Sequence, residues 1–268
     1  MTRRMSSRIF FLAALTLAPV IAKASPCEAE DFETRVSGTS TCLLIKRYGV
    51  SEPSSAQAML VWLHGDISAG GPATYHFALA EKAVDALQPA KVLSIAVVRP
   101  GYPGEGGAAS SGDLNGRSDH YTIDNVTEIG AVIERLAGKY KPRKVILIGH
   151  SGGAATAAIL LGAKPGLVQG AVLAACPCDI DTWRVGRRPW RRSQNPLRWA
   201  DKVNPGATVI ALTGSKDDNT SPALAKAYVE ALAARGVKAE FELVPDATHD
   251  SVFRSQAVLD AIAKLIGN

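Results

Sequence analysis

The run VILIGHSGGAATAAILL sets Ser151 between glycines at 149, 152 and 153, where an apolar β-branched stretch gives way to an Ala/Leu-rich one. A serine hydroxyl becomes a useful nucleophile only when a base takes its proton and a third group orients that base. Two later segments carry those residue types. TGSKDDNT at 213–220 holds Asp217 and Asp218 after a second apolar run, and VPDATH at 244–249 ends in His249 after a third. Taken singly, the acidic loop reads as a solvated turn or helix cap and the histidine as a surface residue. Taken together, in the order serine, acid, histidine, they read as the three parts of an acyl-transfer triad.

The pentapeptide Gly149-His150-Ser151-Gly152-Gly153 is a G-x-S-x-G. A turn from strand to helix this tight leaves no room for bulk two residues before or after the serine, which explains both glycines. The pattern also arises as a glycine-rich packing turn, so its weight comes from the apolar strand before it and the helical pattern after it. A fourth apolar run, AMLVWL at 58–63, ends in His64-Gly65-Asp66. Acyl transfer needs a second backbone N–H, besides that of Gly152, to hold the developing oxyanion, and the amide of Asp66 is placed to supply it. His64 then either closes this loop by hydrogen bonding or also faces the substrate.

These residues need a scaffold that gathers strand ends. β-rich runs fall at 42–48, 58–63, 92–98, 144–148, 170–174, 207–213 and 239–244, and helical patterns at 74–87, 122–140, 152–163, 222–235 and 251–266. Thr122 is the expected N-cap of the helix at 122, which ends before Pro142. Continuous apolar strands alternating with helices predict an α/β fold, a mostly parallel central β-sheet with helices on both faces. In such sheets chemistry collects at the carboxyl ends of the strands, where all four segments lie.

On these residues the chain resembles an α/β-hydrolase over nearly all of 42–268, with motifs like those of the prolyl-oligopeptidase and dienelactone-hydrolase-like branches. TGSKDDNTSPALAKAYVEAL is similar to their acid loop, where the catalytic acid falls three residues after the glycine. That resemblance selects Asp217 over Asp218. PDATHDSVF is similar to their histidine loop and selects His249, and RPGYPGEGG after the strand at 92–98 is similar to a loop beside their site. The large access-limiting domain of the oligopeptidases has no counterpart in the short segment before residue 42, so the resemblance favours an ester-type bond over a peptide bond. It implies a serine hydrolase, a carboxylesterase in the first instance. The alternatives are a small exopeptidase or amidase and a non-catalytic binding protein on the same scaffold.

Residues 179–205 occupy the position of a short cap insertion. Within them, 183–199 holds six arginines (184, 187, 188, 191, 192, 198), Trp183, Trp190, Trp199 and no acid. Such a stretch could read an acidic or aromatic acyl group through bidentate and stacking contacts, with Trp183, Arg184 and Arg188 as the leading candidates, or it could be a solvated basic face. Tyr102 is a further candidate for substrate contact. Arg99, Asp119 and His120 also fall near the cleft, and the Gly/Ser-rich loop at 101–118 is expected to be mobile.

Residues 1–24, basic at Arg3, Arg4 and Arg8 and then apolar to an Ala-Lys-Ala, read as a secretory signal peptide, leaving 25–268 as the exported domain, periplasmic or secreted. Its apolar run falls short of the roughly 20 residues a spanning helix needs, so no stable membrane insertion is expected after cleavage. The leader holds four cations, with Lys23, and no acid, so its removal takes the formal charge from +5 to +1. That removes the main support for nucleic-acid binding. The expected partner is a small ester or a short peptide.

Four cysteines in an oxidising compartment favour disulfides over metal ligation. The fold would separate the first two from the last two by about five strand spacings, on the order of 24 Å, against a limit near 7 Å. That leaves the local pairing Cys27–Cys42 and Cys176–Cys178. There is no metal-ligand cluster or nucleotide loop in the sequence, GEGG at 104–107 being too short and wrongly flanked, and no cofactor is expected.

Overall fold

The computed structural model describes residues 26–50 and 56–267; the leader expected at 1–24 lies outside them. Eight strands run in chain order as β1 (Arg35–Ser37), β2 (Cys42–Gly49), β3 (Ala58–Leu63), β4 (Val92–Val97), β5 (Val145–His150), β6 (Gly170–Ala174), β7 (Thr208–Gly214) and β8 (Lys238–Val244). They form one sheet in the order β1-β2-β4-β3-β5-β6-β7-β8. β1 and β2 pair antiparallel with their neighbours, and every other pairing is parallel. Six helices accompany them: α1 (Phe77–Ala86), α2 (Ile123–Tyr140), α3 (Gly152–Ala163), α4 (Ile180–Trp183), α5 (Pro222–Ala233) and α6 (Gln256–Gly267).

The central strands are buried on both faces, and their alternate side chains feed two separate cores. Met59, Val61 and Leu63 of β3 join Val145 and Leu147 of β5 under α2, α3 and α5. Ala58, Leu60 and Trp62 join Ile146 and Ile148 under α1 and α6. α3 is buried from Gly152 to Gly162, which is why its sequence is apolar all round rather than striped. Ile159, Leu160 and Leu161 alone contribute roughly 1.5–3 kcal/mol each by burial. At the start of α2 the Thr122 hydroxyl accepts from the Asn125 N–H at 3.2 Å, and Lys141 ends the helix in the left-handed region at φ 48°.

Several details differ from the sequence-based expectation. β1 is an additional strand, and its three residues are too few to show a period. Residues 251–255 form a separate 3-10 turn, Val252–Arg254, before α6 begins. The loop at 101–118 is stitched down rather than loose: Ser110 Oγ donates to the Val98 carbonyl at 2.7 Å and accepts from the Leu44 N–H at 2.9 Å, and Ser111 Oγ accepts from the Cys42 N–H at 2.7 Å. Cys27 is bonded to Cys42 and Cys176 to Cys178, with Cα separations of 4.9 and 5.0 Å. β2 and β6 stand four strand spacings apart in the sheet, one fewer than expected and still far beyond disulfide reach.

Candidate active site

β5 delivers Ser151 at φ 51° and ψ −117°, a backbone conformation that a β-carbon makes costly, held by the Ser151 N–H donating to the Ala174 carbonyl on β6 at 2.8 Å. The flanking glycines explain why the turn is possible. A β-carbon on Gly153 would collide with the carbonyl oxygens of Leu63 and His64, and one on Gly149 would lie 2.6 Å from the Ala154 nitrogen. Serine at an N-cap ordinarily accepts a hydrogen bond from its own helix. Ser151 makes no such cap bond; its Oγ lies 3.0 Å from His249 Nε2.

His249 follows β8, and its Nδ1 lies 3.0 and 3.2 Å from the two carboxylate oxygens of Asp217, which follows β7. A carboxylate only accepts, so Nδ1 carries the hydrogen and Nε2 of the neutral ring is the acceptor facing the serine. Burial pushes the Asp217 carboxyl up, but hydrogen bonds from His249 and Thr220 outweigh it and hold the group below its ordinary range. The Asn219 and Thr220 N–H groups and the Thr220 hydroxyl donate to it at 2.9, 2.8 and 2.7 Å. Asp218 is exposed and takes no part in this cluster.

The turn after β3 packs directly on Ser151: a β-carbon on Gly65 would lie 3.1 Å from Ser151 Cβ. Among the described residues, the N–H groups of Asp66 and Gly152 donate to no protein acceptor. The Gly152 amide also sits at the N-terminus of α3, where the helix dipole favours negative charge. The Asp66 carboxylate is held by Arg99 at 2.5 Å, by the Tyr121 hydroxyl at 2.6 Å and by the Tyr102 hydroxyl at 3.2 Å. Arg99 is fully buried, and its Nε and Nη1 have no partner.

His64 and Tyr102, considered above as substrate contacts, are instead fully buried and lie behind the cavity. His64 Nδ1–H donates to the Gly65 carbonyl at 2.7 Å, and its Nε2 accepts from the Arg99 N–H at 2.9 Å, closing the loop from β3 to the chain after β4. Burial and the neighbouring Arg99 charge hold its imidazole neutral, well below the ordinary value. His120 is also buried, and Asp119 accepts from the backbone N–H groups of Arg191, Arg192 and Ser193.

One linkage has no separate sequence signal. The Gly65 N–H donates to the Tyr75 hydroxyl at 2.6 Å, Tyr75 donates to His150 Nδ1 at 2.6 Å, and His150 Nε2–H donates to the His249 carbonyl at 2.9 Å. His150 stacks on Phe253 with ring centres 4.8 Å apart, and burial pushes its imidazole down to about 4. The two sides of the serine are therefore tied together through neutral groups. Tyr75 could have been suspected only from its place shortly after the β3 turn.

A cavity of about 620 Å³ opens over Ser151 and His249. Trp183, Arg184, Arg187 and Trp190 of the arginine- and tryptophan-rich segment line it, with Arg117 and Arg254 from elsewhere in the chain. Arg188 is exposed and lines a neighbouring depression instead. Among the described residues no group of His, Cys, Asp and Glu side chains could hold a metal ion, and no helix is long and apolar enough to cross a membrane.

A family model described as the alpha/beta hydrolase family matches residues 60–205. Among solved structures, the chain is similar to Est1E from Butyrivibrio proteoclasticus with ferulic acid bound, at 13% identity and a TM-score of 0.65, over 87% of this chain and 99% of that one. It is similar to the Pyrococcus furiosus esterase at 16% identity and 0.64, over 92% and 96%. It also resembles Porphyromonas gingivalis dipeptidyl peptidase 4 at 17% and 0.60, over 87% of this chain but 35% of that one. No curated protein sequence matches. The family match spans more than half of the chain and includes β5 and Ser151: the protein belongs to the alpha/beta hydrolase family.

Proposed function

We propose that the protein is an exported serine hydrolase of carboxylic esters, with Ser151 as nucleophile, His249 as general base and then acid, and Asp217 as the group that orients and stabilises the imidazolium. The observation that carries this reading is the unbroken line from Ser151 Oγ to His249 Nε2 and from His249 Nδ1 to Asp217, each of the two contacts 3.0 Å, from three strand ends. In the forward step Oγ attacks the ester carbonyl carbon as its proton passes to Nε2. The oxyanion is held by the N–H groups of Gly152 and Asp66, and the alcohol leaves with the proton returned from Nε2. Water then attacks the acyl-enzyme by the same route, releasing the acid and restoring Ser151. Arg99 matters here because it neutralises a carboxylate that would otherwise sit close to that oxyanion.

Export is supported by the leader-like sequence of residues 1–24 and by the two disulfides. Fractionation of the producing cells, with the activity and the cleaved chain found outside the cytoplasm, tests it. The reaction class is tested with p-nitrophenyl acetate and butyrate against amino-acid p-nitroanilides. Turnover of the esters that is lost in Ser151→Ala is the expected result. Faster turnover of the anilides would move the protein to the peptidase reading that its likeness to dipeptidyl peptidase 4 keeps in view.

A further inference from the structure

The six cap arginines do not behave alike. Arg192 pairs with Asp113 at 2.9 Å and Arg198 with Asp181 at 2.6 Å, and Arg188 and Arg191 line the neighbouring depression. Arg184 and Arg187 turn to the cavity over Ser151, where Arg117 and Arg254 join them. Among the described residues none of these four guanidiniums has a carboxylate within ion-pair distance. Arg117 and Arg184 reach only backbone carbonyls, and Arg187 reaches the Asn219 side chain at 3.2 Å. Against them stand Asp250 at the cavity and Asp217 behind His249; Asp66 is already neutralised by Arg99.

The arrangement is also fixed in place. Arg184 lies 5.2 and 5.1 Å from the ring centres of Trp183 and Trp190, which meet edge to face. Trp183 Nε1–H donates to the Asn219 carbonyl at 2.9 Å, tying the cap to the loop that carries Asp217. Burial, and then the charge of Arg187, pull the Arg184 guanidinium below its ordinary value, as expected of like charges gathered without an anion. A fork of donors held on aromatic faces, with donors to spare, matches a planar oxyanion.

We propose that the esters this site takes carry a second, anionic group, a carboxylate, which Arg184 and Arg187 bind while Arg117 and Arg254 add to the field. This rests on the ester-hydrolase reading above. It predicts a charge preference set by the cap rather than by the triad.

The experiment compares the p-nitrophenyl monoester of glutarate with p-nitrophenyl pentanoate, which share the leaving group and differ by a carboxylate against a methyl. The readout is the ratio of their kcat/KM values, in the whole chain and in the double variant Arg184→Gln/Arg187→Gln. The ratio is expected to favour the glutarate ester and to fall about tenfold or more in the variant, chiefly through KM. It should also fall with added salt in the unaltered protein. A cap that merely loses its shape slows both esters in step, so an unmoved ratio overturns the proposal, as does a preference for pentanoate in the unaltered protein. Turnover of neither ester contradicts the ester-hydrolase reading itself, a different outcome from loss of charge preference.

Discussion

Ser151 shows how a single residue type can be diverted from its default use. Its position at the start of α3 suits an N-cap, yet the strained backbone turns the hydroxyl away from the helix and toward His249. Ser151→Ala should therefore leave the fold and melting temperature nearly unchanged and lower kcat/KM for p-nitrophenyl acetate by at least about 10⁴-fold. Asp66 has two roles in the proposed mechanism, its N–H as an oxyanion donor and its carboxylate as the partner of Arg99. Asp66→Asn keeps the N–H but leaves a fully buried guanidinium without its counter-charge, at a cost of roughly 3–5 kcal/mol. Urea unfolding should show a lower midpoint with unchanged slope. Serine, acid and histidine were legible because each follows its own strand. The Arg99–Asp66 pair was not, because an arginine after β4 gives no hint of the side chain it meets across the strand ends.

At the scale of elements, the strands and their loops do the positioning. The chain from Gly65 through Tyr75 and His150 to His249 joins the turn after β3, the start of α1, the end of β5 and the loop after β8. Tyr75→Phe removes a hydroxyl that both accepts and donates in that chain and leaves the His150 acceptor unpaired. Steady-state kinetics should show kcat reduced about tenfold with KM changed by less than about twofold, a change of roughly 1.4 kcal/mol in positioning. Seven strands and five of the six helices could be read from period and punctuation. β1 is too short for that, and α4, four residues long, gains its place from Trp183 packing and from Asp179 accepting at its N-cap rather than from any pattern. The Gly/Ser-rich loop at 101–118 misleads by composition, since Ser110 and Ser111 hydrogen-bond to β2 and, through Ser110, to the Val98 carbonyl just after β4.

For the whole molecule, four of the five histidines are buried and held neutral. Burial pushes His76 down to about 3 and His120 and His150 to about 4, and His64 also well below its ordinary value. The unfolded chain protonates these rings near pH 6.5, so below that pH it binds more protons than the folded one. Stability is therefore full above about pH 7 and falls as pH drops from about 6.5 toward 4, each ring adding up to about 1.4 kcal/mol per pH unit. A melting temperature that holds between pH 5 and 7 would count against this. The sheet's layered order follows from the apolar strands, whereas the arginine-rich segment 183–199 leaves a choice between a solvated face and a recognition surface. Its division into paired, outward and cavity-facing arginines depends on acids distant in sequence.

The proposed mechanism depends on Ser151 being an activated nucleophile. It is tested most directly by treating the purified protein, with its disulfides intact, with a fluorophosphonate probe and locating the adduct by mass spectrometry. One equivalent of label on the peptide that carries Ser151, and none in Ser151→Ala, is the predicted result. A folded protein that stays unlabelled, or that is labelled equally in the variant, would contradict it.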